Sequence, residues 1–434
     1  MKFYTTDYSK YLNHFINKKF HDDISNIKFS QKSKTILEQL LKTIAFANIE
    51  YKKAYNGKHK NGDIKSQWIP IGNDDVFPRG YNYNYCKDNI KHEIENMNKI
   101  CCIYTIKIEN REFQISFIAS NHFPNIENYF ERSIKLIYIW LYLASKYASD
   151  KCSRKINIYL YLTPLKKFLP TSGYYIDENH ANTAFTTSCK MITEINIYRQ
   201  EEWFKVLIHE TFHCMGLDFS EFNQTKINNL VLSVFPVNSD VRLFETYCEI
   251  WAEIINSLII SFISYKDFDD IENITIENTD KMIKTFEHLL KKEQTFSLFQ
   301  CAKVLKFFDL EYTDLYESNC KYKRDSNYKE GTHVLSYYIL KCIYMFYVND
   351  FIEWCDVHNG SSIINFNKKH NIVENNMYEY FQFIREHYKN PEFIKTVNKM
   401  LLWFHKTQKK ISKSLRHADK FELKTLRMSI HEII

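Results

Sequence analysis

The order of apolar and polar positions changes character along the chain. Residues 1–60 carry apolar side chains at helical spacing, as at Ile36, Leu37, Leu40, Leu41, Ile44 and Ala45, and predict helices. Residues 57–98 are polar and turn-rich, with Asn-Gly, Gly-Asn-Asp-Asp and Pro-Arg-Gly runs, and read as a long loop or hinge. Alternation then takes over. Cys101–Glu109 and Glu112–Ser120 predict two strands joined by a tight turn at Asn110–Arg111, and Lys155–Thr163 predicts a third. A long helix over Asn125–Ser149 separates them, and Thr183–Ser188 and Glu194–Tyr198 are two shorter strand candidates. A helix follows from near Gln200 to near Gly216, and from Asp240 onward the pattern is almost wholly helical. A mixed sheet followed by helices is an α+β architecture. Three regions follow from this reading: 1–99, helical and loop-rich; 100–350, the core; and 351–434, helical and basic.

Composition narrows the chemistry. Eight glycines in 434 residues leave no glycine-rich phosphate loop and no dinucleotide fingerprint, which removes kinase, GTPase and Rossmann readings. Eleven cysteines, an odd count with no CxxC pair, argue against a disulfide framework and for reduced thiols in a cytoplasmic setting. The richest apolar runs, Ile134–Ala148 and Ile250–Ser264, are interrupted by Lys135, Lys146 and Glu253, so no membrane span is expected. A net charge of +6 on this length decides nothing about nucleic acid.

The informative run is His209-Glu210-Thr211-Phe212-His213. Two histidines four apart on a helix share a face, so both imidazoles can reach one metal ion. Glu210, beside the first, can act as general base toward a water at that ion. Nitrogen and carboxylate ligands with one open position suit Zn²⁺. An accidental HExxH is expected about 0.04 times in this composition. Val206, Leu207 and Ile208 before it predict a buried helix, and Gly216 after it predicts a left-handed cap.

A third ligand is required. In the pattern HExxHxxGxxH it would be Phe219, which cannot bind a metal, and Asp218 is one residue off. The alternative is a carboxylate from a later helix, and Arg242–Asn256 offers Glu245, Glu249 and Glu253 on one face. Three carboxylates among Leu243, Phe244, Tyr247, Ile250 and Trp251 are costly to bury without a cation. Glu249 is the chosen ligand, with Ala252 allowing close helix approach and Glu253 placed to support a ligand histidine. Glu245 is the same arrangement one turn earlier.

HETFH together with EIWAE (249–253) resembles the gluzincin branch of the zincin-like metallopeptidases, where an ExxAE-type segment supplies the third zinc ligand. The runs 195–220, 245–256 and 332–338 are similar to metallopeptidase-like sequences of large nucleocytoplasmic DNA viruses, and the likeness spans about residues 100–350. It implies a zincin-like sheet over an active-site helix, a polypeptide substrate, Zn²⁺ held by His209, His213 and Glu249, and a host-cytoplasmic or virion location. Thr183–Ser188 would be the edge strand that pairs with an extended peptide. Zincins often take an oxyanion donor from a later helix; His333 is the candidate, with Tyr337 one turn on, and His180 and Tyr247 are weaker options. Glu201 and Glu202 would sit in the first turn of the His helix and complement its dipole.

Lys395–Arg427 holds ten Lys/Arg against Asp419 and Glu422 and reads as a basic amphipathic region, a solvated face or a contact for nucleic acid or an acidic partner. The rival to a peptidase is a virion structural or interaction protein that keeps the fold without turnover. A zinc amidase or deubiquitinating hydrolase is the enzymatic rival.

Overall fold

The computed structural model describes residues 2–19, 27–55, 63–71, 77–97, 99–120, 125–171, 173, 175–270, 275–411 and 421–433. Alternating apolar residues build a six-stranded mixed sheet in the order β1-β2-β3-β4-β6-β5. Its strands are β1 (Lys65–Pro70), β2 (Lys99–Ile108), β3 (Arg111–Ser120), β4 (Lys155–Tyr161), β5 (Ala184–Thr186) and β6 (Ile192–Ile197). The pairs β3/β4 and β4/β6 are parallel; β1/β2, β2/β3 and β5/β6 are antiparallel. The helices are α1 (Asp7–Lys19), α2 (Gln31–Ala54), α3 (Asp88–Asn96), α4 (Ile126–Tyr147), α5 (Glu178–Ala181), α6 (Trp203–Cys214), α7 (Thr225–Val234), α8 (Leu243–Ile263), α9 (Ile276–Phe307), α10 (Lys321–Asn327), α11 (Lys341–Phe346), α12 (Val348–Asn359), α13 (Val373–His387) and α14 (Pro391–Ile411). A π-turn, Leu335–Leu340, leads into α11. The α+β expectation holds.

One face of the sheet, with Phe113, Ile115, Phe117, Ile156, Ile158 and Ile195, joins the main core, whose buried residues run from Leu12 to Ile433 and so come from all three regions of the sequence. The other face is covered by Phe77, Tyr83, Ile90 and Ile94. Within 57–98, therefore, the loop or hinge expectation is corrected. The segment supplies a sheet edge in β1, a short 3-10 turn at Tyr81–Tyr85 and α3; residues 57–62, 72–76 and 98 lie outside the described residues. β1 escaped notice because Lys-Ser-Gln-Trp-Ile-Pro is short and polar, as an edge strand can be.

α8 is the one helix among the described residues apolar and long enough to cross a membrane, and it is wholly buried inside the protein. Cys152 and Cys189 form a disulfide, while nine cysteines are free. The expectation of uniformly reduced thiols is corrected for this pair. Parallel pairing of Lys155 with Ile192 brings the segments before β4 and β6 together.

The C-terminal residues 421–433 form a strap through the core. Leu426, Met428 and Ile430 are buried, and so is Arg427, which pairs with Glu432 at 3.1 Å. Arg427 thus leaves the basic surface that Lys395–Arg427 suggested, and residues 412–420 of that region lie outside the described residues.

Candidate metal centre

Every residue of α6 is buried, as the run Val206-Leu207-Ile208 requires. The helix ends where Gly216 takes φ +60°, with Gly216 N donating to His213 O and Leu217 N to Phe212 O. Glu201 and Glu202 precede the helix instead of lying in its first turn. Glu202, left-handed at φ 60°, turns its carboxylate to the strap, accepting from Met428 N (2.9 Å) and Ser429 N (2.6 Å). It makes no side-chain cap to α6.

His209 and His213 face the same way, with Nε2 atoms 3.1 Å apart. Glu245 completes the set: its Oε2 lies 3.1 Å from His209 Nε2 and 3.4 Å from His213 Nε2. The structure thus brings Glu245, and not the expected Glu249, to the two Nε2 atoms. Glu249 sits one turn further along α8, behind His209, with Oε1 3.1 Å from Nδ1 and Oε2 accepting from Lys205 Nζ at 2.5 Å. Glu253, another turn on, pairs with Lys341. One helical face therefore carries three carboxylates in three settings. The crossing of α8 over α6 decides which of them meets the ring nitrogens.

His213 has a carboxylate behind it too. Asp218 Oδ2 lies 2.5 Å from its Nδ1, and Asp218 Oδ1 accepts from Ser220 N and Ser220 Oγ. Cys248 Sγ is 3.4 Å from the same Asp218 oxygen. Asp218 is hydrogen-bonded at His213 Nδ1, while the Glu249 carboxylate lies 3.1 Å from His209 Nδ1 without hydrogen-bond alignment; the two negative charges favour the N–H at each Nδ1 and leave the Nε2 lone pairs beside Glu245. Two facing lone pairs and a carboxylate repel unless a cation lies among them. Tetrahedral bonds of about 2.0–2.2 Å place ligand atoms roughly 3.3–3.5 Å apart, close to the separations seen. The residues fit a metal ion. With protons as the only cations, burial pushes the His209 ring down, but Glu249 and Glu245 outweigh it and raise it to about 9. Glu245, despite burial, is held well below the usual carboxylate range by His213 and His209.

The site opens into a cleft of about 540 Å³, lined by Glu210, Phe185, Ser188, Arg242, His333 and Tyr337 among others. Burial pushes the Glu210 carboxyl up, the direction a base that must later return its proton needs. His333 reaches the cleft as expected, but its Nδ1 lies 2.7 Å from Asp240 O. Donation there leaves a lone pair on Nε2 of the neutral ring, so His333 donates into the cleft only as imidazolium. Tyr337 is a donor already, giving its hydroxyl to Glu245 Oε2 at 3.2 Å. His180 closes a capping box at the start of α5, and the Tyr247 hydroxyl donates to Ile364 O in the core, so neither reaches the site. β5 is the outermost strand, and Ala184, Phe185 and Thr186 line the cleft.

Sequence reasoning missed Lys205 and Asp218 as supports. A lysine inside an apolar helix, four residues before a histidine, was the available signal for the first. Asp218 is one residue off the ligand position of the HExxHxxGxxH pattern, and its place behind His213 follows only from the turn at Gly216. Comparison with known protein families, with curated proteins and with solved structures gives no match.

Proposed function

We propose that this chain is a zincin-like, zinc-dependent metallopeptidase. The observation that carries the reading is the convergence of His209 Nε2, His213 Nε2 and Glu245 Oε2, each imidazole backed by its own carboxylate. His209, His213 and Glu245 would hold the ion. Zinc, when bound, supplies Lewis acidity toward a carbonyl and a water. Glu210 takes the proton from the attacking water and returns it to the leaving amine. Tyr337, turning its one O–H from Glu245 Oε2 to the oxygen that becomes negative, is a stronger candidate donor than His333 because its donor is a hydroxyl. An extended substrate pairs with the free edge of β5, which brings the scissile carbonyl carbon to the water that Glu210 deprotonates.

The cleft favours an enzyme over a structural protein, since a metal held only for structure has no need of Glu210 at its open side. The decisive test pairs zinc analysis with cleavage of a peptide library by wild type and Glu210→Gln. One zinc per chain in both, with cleavage in wild type alone, is the expected result. Cleavage that survives in Glu210→Gln, or a protein that takes up no zinc, overturns the reading.

A further inference from the structure

β5 lines the cleft, yet it is only three residues long and each of them is only partly buried. Beyond its short register with β6, the hairpin is closed by Tyr198 N donating to Thr183 O, Thr187 N and Thr186 Oγ1 to Glu194 O, and Glu194 N to Thr187 Oγ1. An edge strand so short and so exposed opens readily unless something else holds it.

The Cys152–Cys189 disulfide supplies that hold. It joins residues 37 apart, crossing from the start of β4 to the turn between β5 and β6, and the loop it closes contains β4, α5 and β5. Its two sulfurs differ in setting. Cys152 is buried against the turn at Gly216, where a Cβ would lie 3.0 Å from Cys152 Sγ. Cys189 is half-buried between exposed Ser188 and Lys190, and Ser188 lines the cleft. A nucleophile from solvent therefore meets Cys189 first. Eight of the nine free cysteines among the described residues are buried, so they stay out of this exchange. The frame of the candidate metal site does not depend on the bridge. Ser153 Oγ donates to Cys214 O at 2.5 Å and lies 2.7 Å from Thr193 Oγ1, which ties β4, β6 and the end of α6 together without sulfur.

We infer that the Cys152–Cys189 bridge is a redox latch on the β5–β6 hairpin, opened by small thiols of the glutathione class. A thiolate attacks Cys189 Sγ, the S–S bond breaks, and Cys152 leaves as a thiolate that takes up a proton. A second thiol attacks the reductant's sulfur in the mixed disulfide and releases Cys189. In balance, one protein disulfide and two thiols give two cysteine thiols and one disulfide of the reductant. Opening loosens β5 and leaves α6 in place. The consequence for peptide capture rests on the peptidase reading; the latch itself does not.

Hydrogen exchange read by mass spectrometry on the full-length protein tests the latch, in oxidised and in reduced glutathione. Alkylation mapping should find Cys152 and Cys189 bridged in the first and as thiols in the second. Residues 183–191 should exchange at least about tenfold faster in the reduced protein, with 203–214 unchanged. Cys152→Ala combined with Cys189→Ala should exchange at the reduced rate in both buffers, and unchanged exchange over 203–214 shows that it folds. If it does not fold, the two states of the wild type decide alone. A pair that never bridges in oxidised glutathione, a bridge that survives reduced glutathione, or equal exchange of 183–191 in both states overturns the latch. For a peptide that the protein cleaves, reduction should raise KM about tenfold and leave kcat near its oxidised value. A KM that does not move overturns the role in capture, whereas cleavage absent in both states counts against the peptidase reading and leaves the exchange result to decide the latch.

Discussion

The candidate metal centre and the groove that holds the strap both bury charge beside α8, yet they treat it in opposite ways. In the groove the main buried charges meet groups of the chain itself. Glu293 accepts from Ile430 N, His431 N and Ser429 Oγ; Lys303 donates to Glu422 O and Thr425 O; Lys167 meets Glu202 at 2.5 Å. At the candidate metal centre two ring nitrogens and a carboxylate oxygen converge with no donor among the described residues placed to satisfy all three. Burial of charge is common to both regions. What marks a ligand site is charge that the fold leaves unanswered.

The sharpest way to break this contrast is to remove ligands. His209→Ala, His213→Ala and Glu245→Ala should each drop zinc from one per chain to a trace, because two remaining ligands hold it poorly. Metal analysis of the purified variants reads this directly. Zinc retained in Glu245→Ala and lost in Glu249→Ala would restore the original choice of third ligand.

Next in size is Glu210→Gln. Zinc content and thermal stability should stay near wild type while hydrolysis falls about 10³-fold. A parallel fall in zinc content would make Glu210 part of the metal's support and not a base.

The groove gives the converse result. Glu202→Gln should lower stability by about 3–5 kcal/mol at pH 7, since it strands Lys167 without its partner. Zinc stoichiometry should be unchanged in the folded fraction. Burial pushes the Glu202 carboxyl up, but Lys167, Arg427 and Lys205 outweigh it and hold it at about 2. A carboxyl held below its unfolded value stabilises the fold above about pH 4.5 and loses that contribution as pH falls toward 2. Urea unfolding should therefore show the gap between wild type and variant closing over that range. A gap that stays constant from pH 7 to pH 3 would mean that Glu202 acts through packing alone.

Much of this contrast was legible in the sequence, and its limits are physical. HETFH, the glutamate face of Arg242–Asn256 and the alternation in β2, β3 and β4 are local patterns, and each appears where it was expected. The choice between Glu245 and Glu249 depends on how two helices cross, which no local pattern records. The strap depends on contacts such as Glu202 to Met428, 226 residues apart, and the alternation of Leu426, Met428 and Ile430 spans only five residues at the end of a run that otherwise reads as a basic amphipathic helix. Cys152 and Cys189 met through sheet register for the same reason.

The smallest effect tests the finest distinction, between a residue that binds the ion and one that orients a residue that binds it. Glu249 touches His209 on Nδ1, away from the point where the Nε2 atoms converge, and Lys205 fixes the other carboxylate oxygen. Removing it leaves all three ligand atoms in place but frees the ring to rotate. Glu249→Ala should therefore weaken zinc binding by about 10–100-fold and not abolish it. Asp218→Asn, which keeps the shape but removes the charge facing His213, should fall at the lower end of that range. Glu249→Gln separates orientation from charge: an amide oxygen at this place can accept from Nδ1–H once the ion fixes the ring, so most of the affinity should return. Competition with a chromogenic zinc chelator reads all three variants on one scale. If Glu249→Gln is as weak as Glu249→Ala, the carboxylate acts by its charge on the site and not by holding the ring.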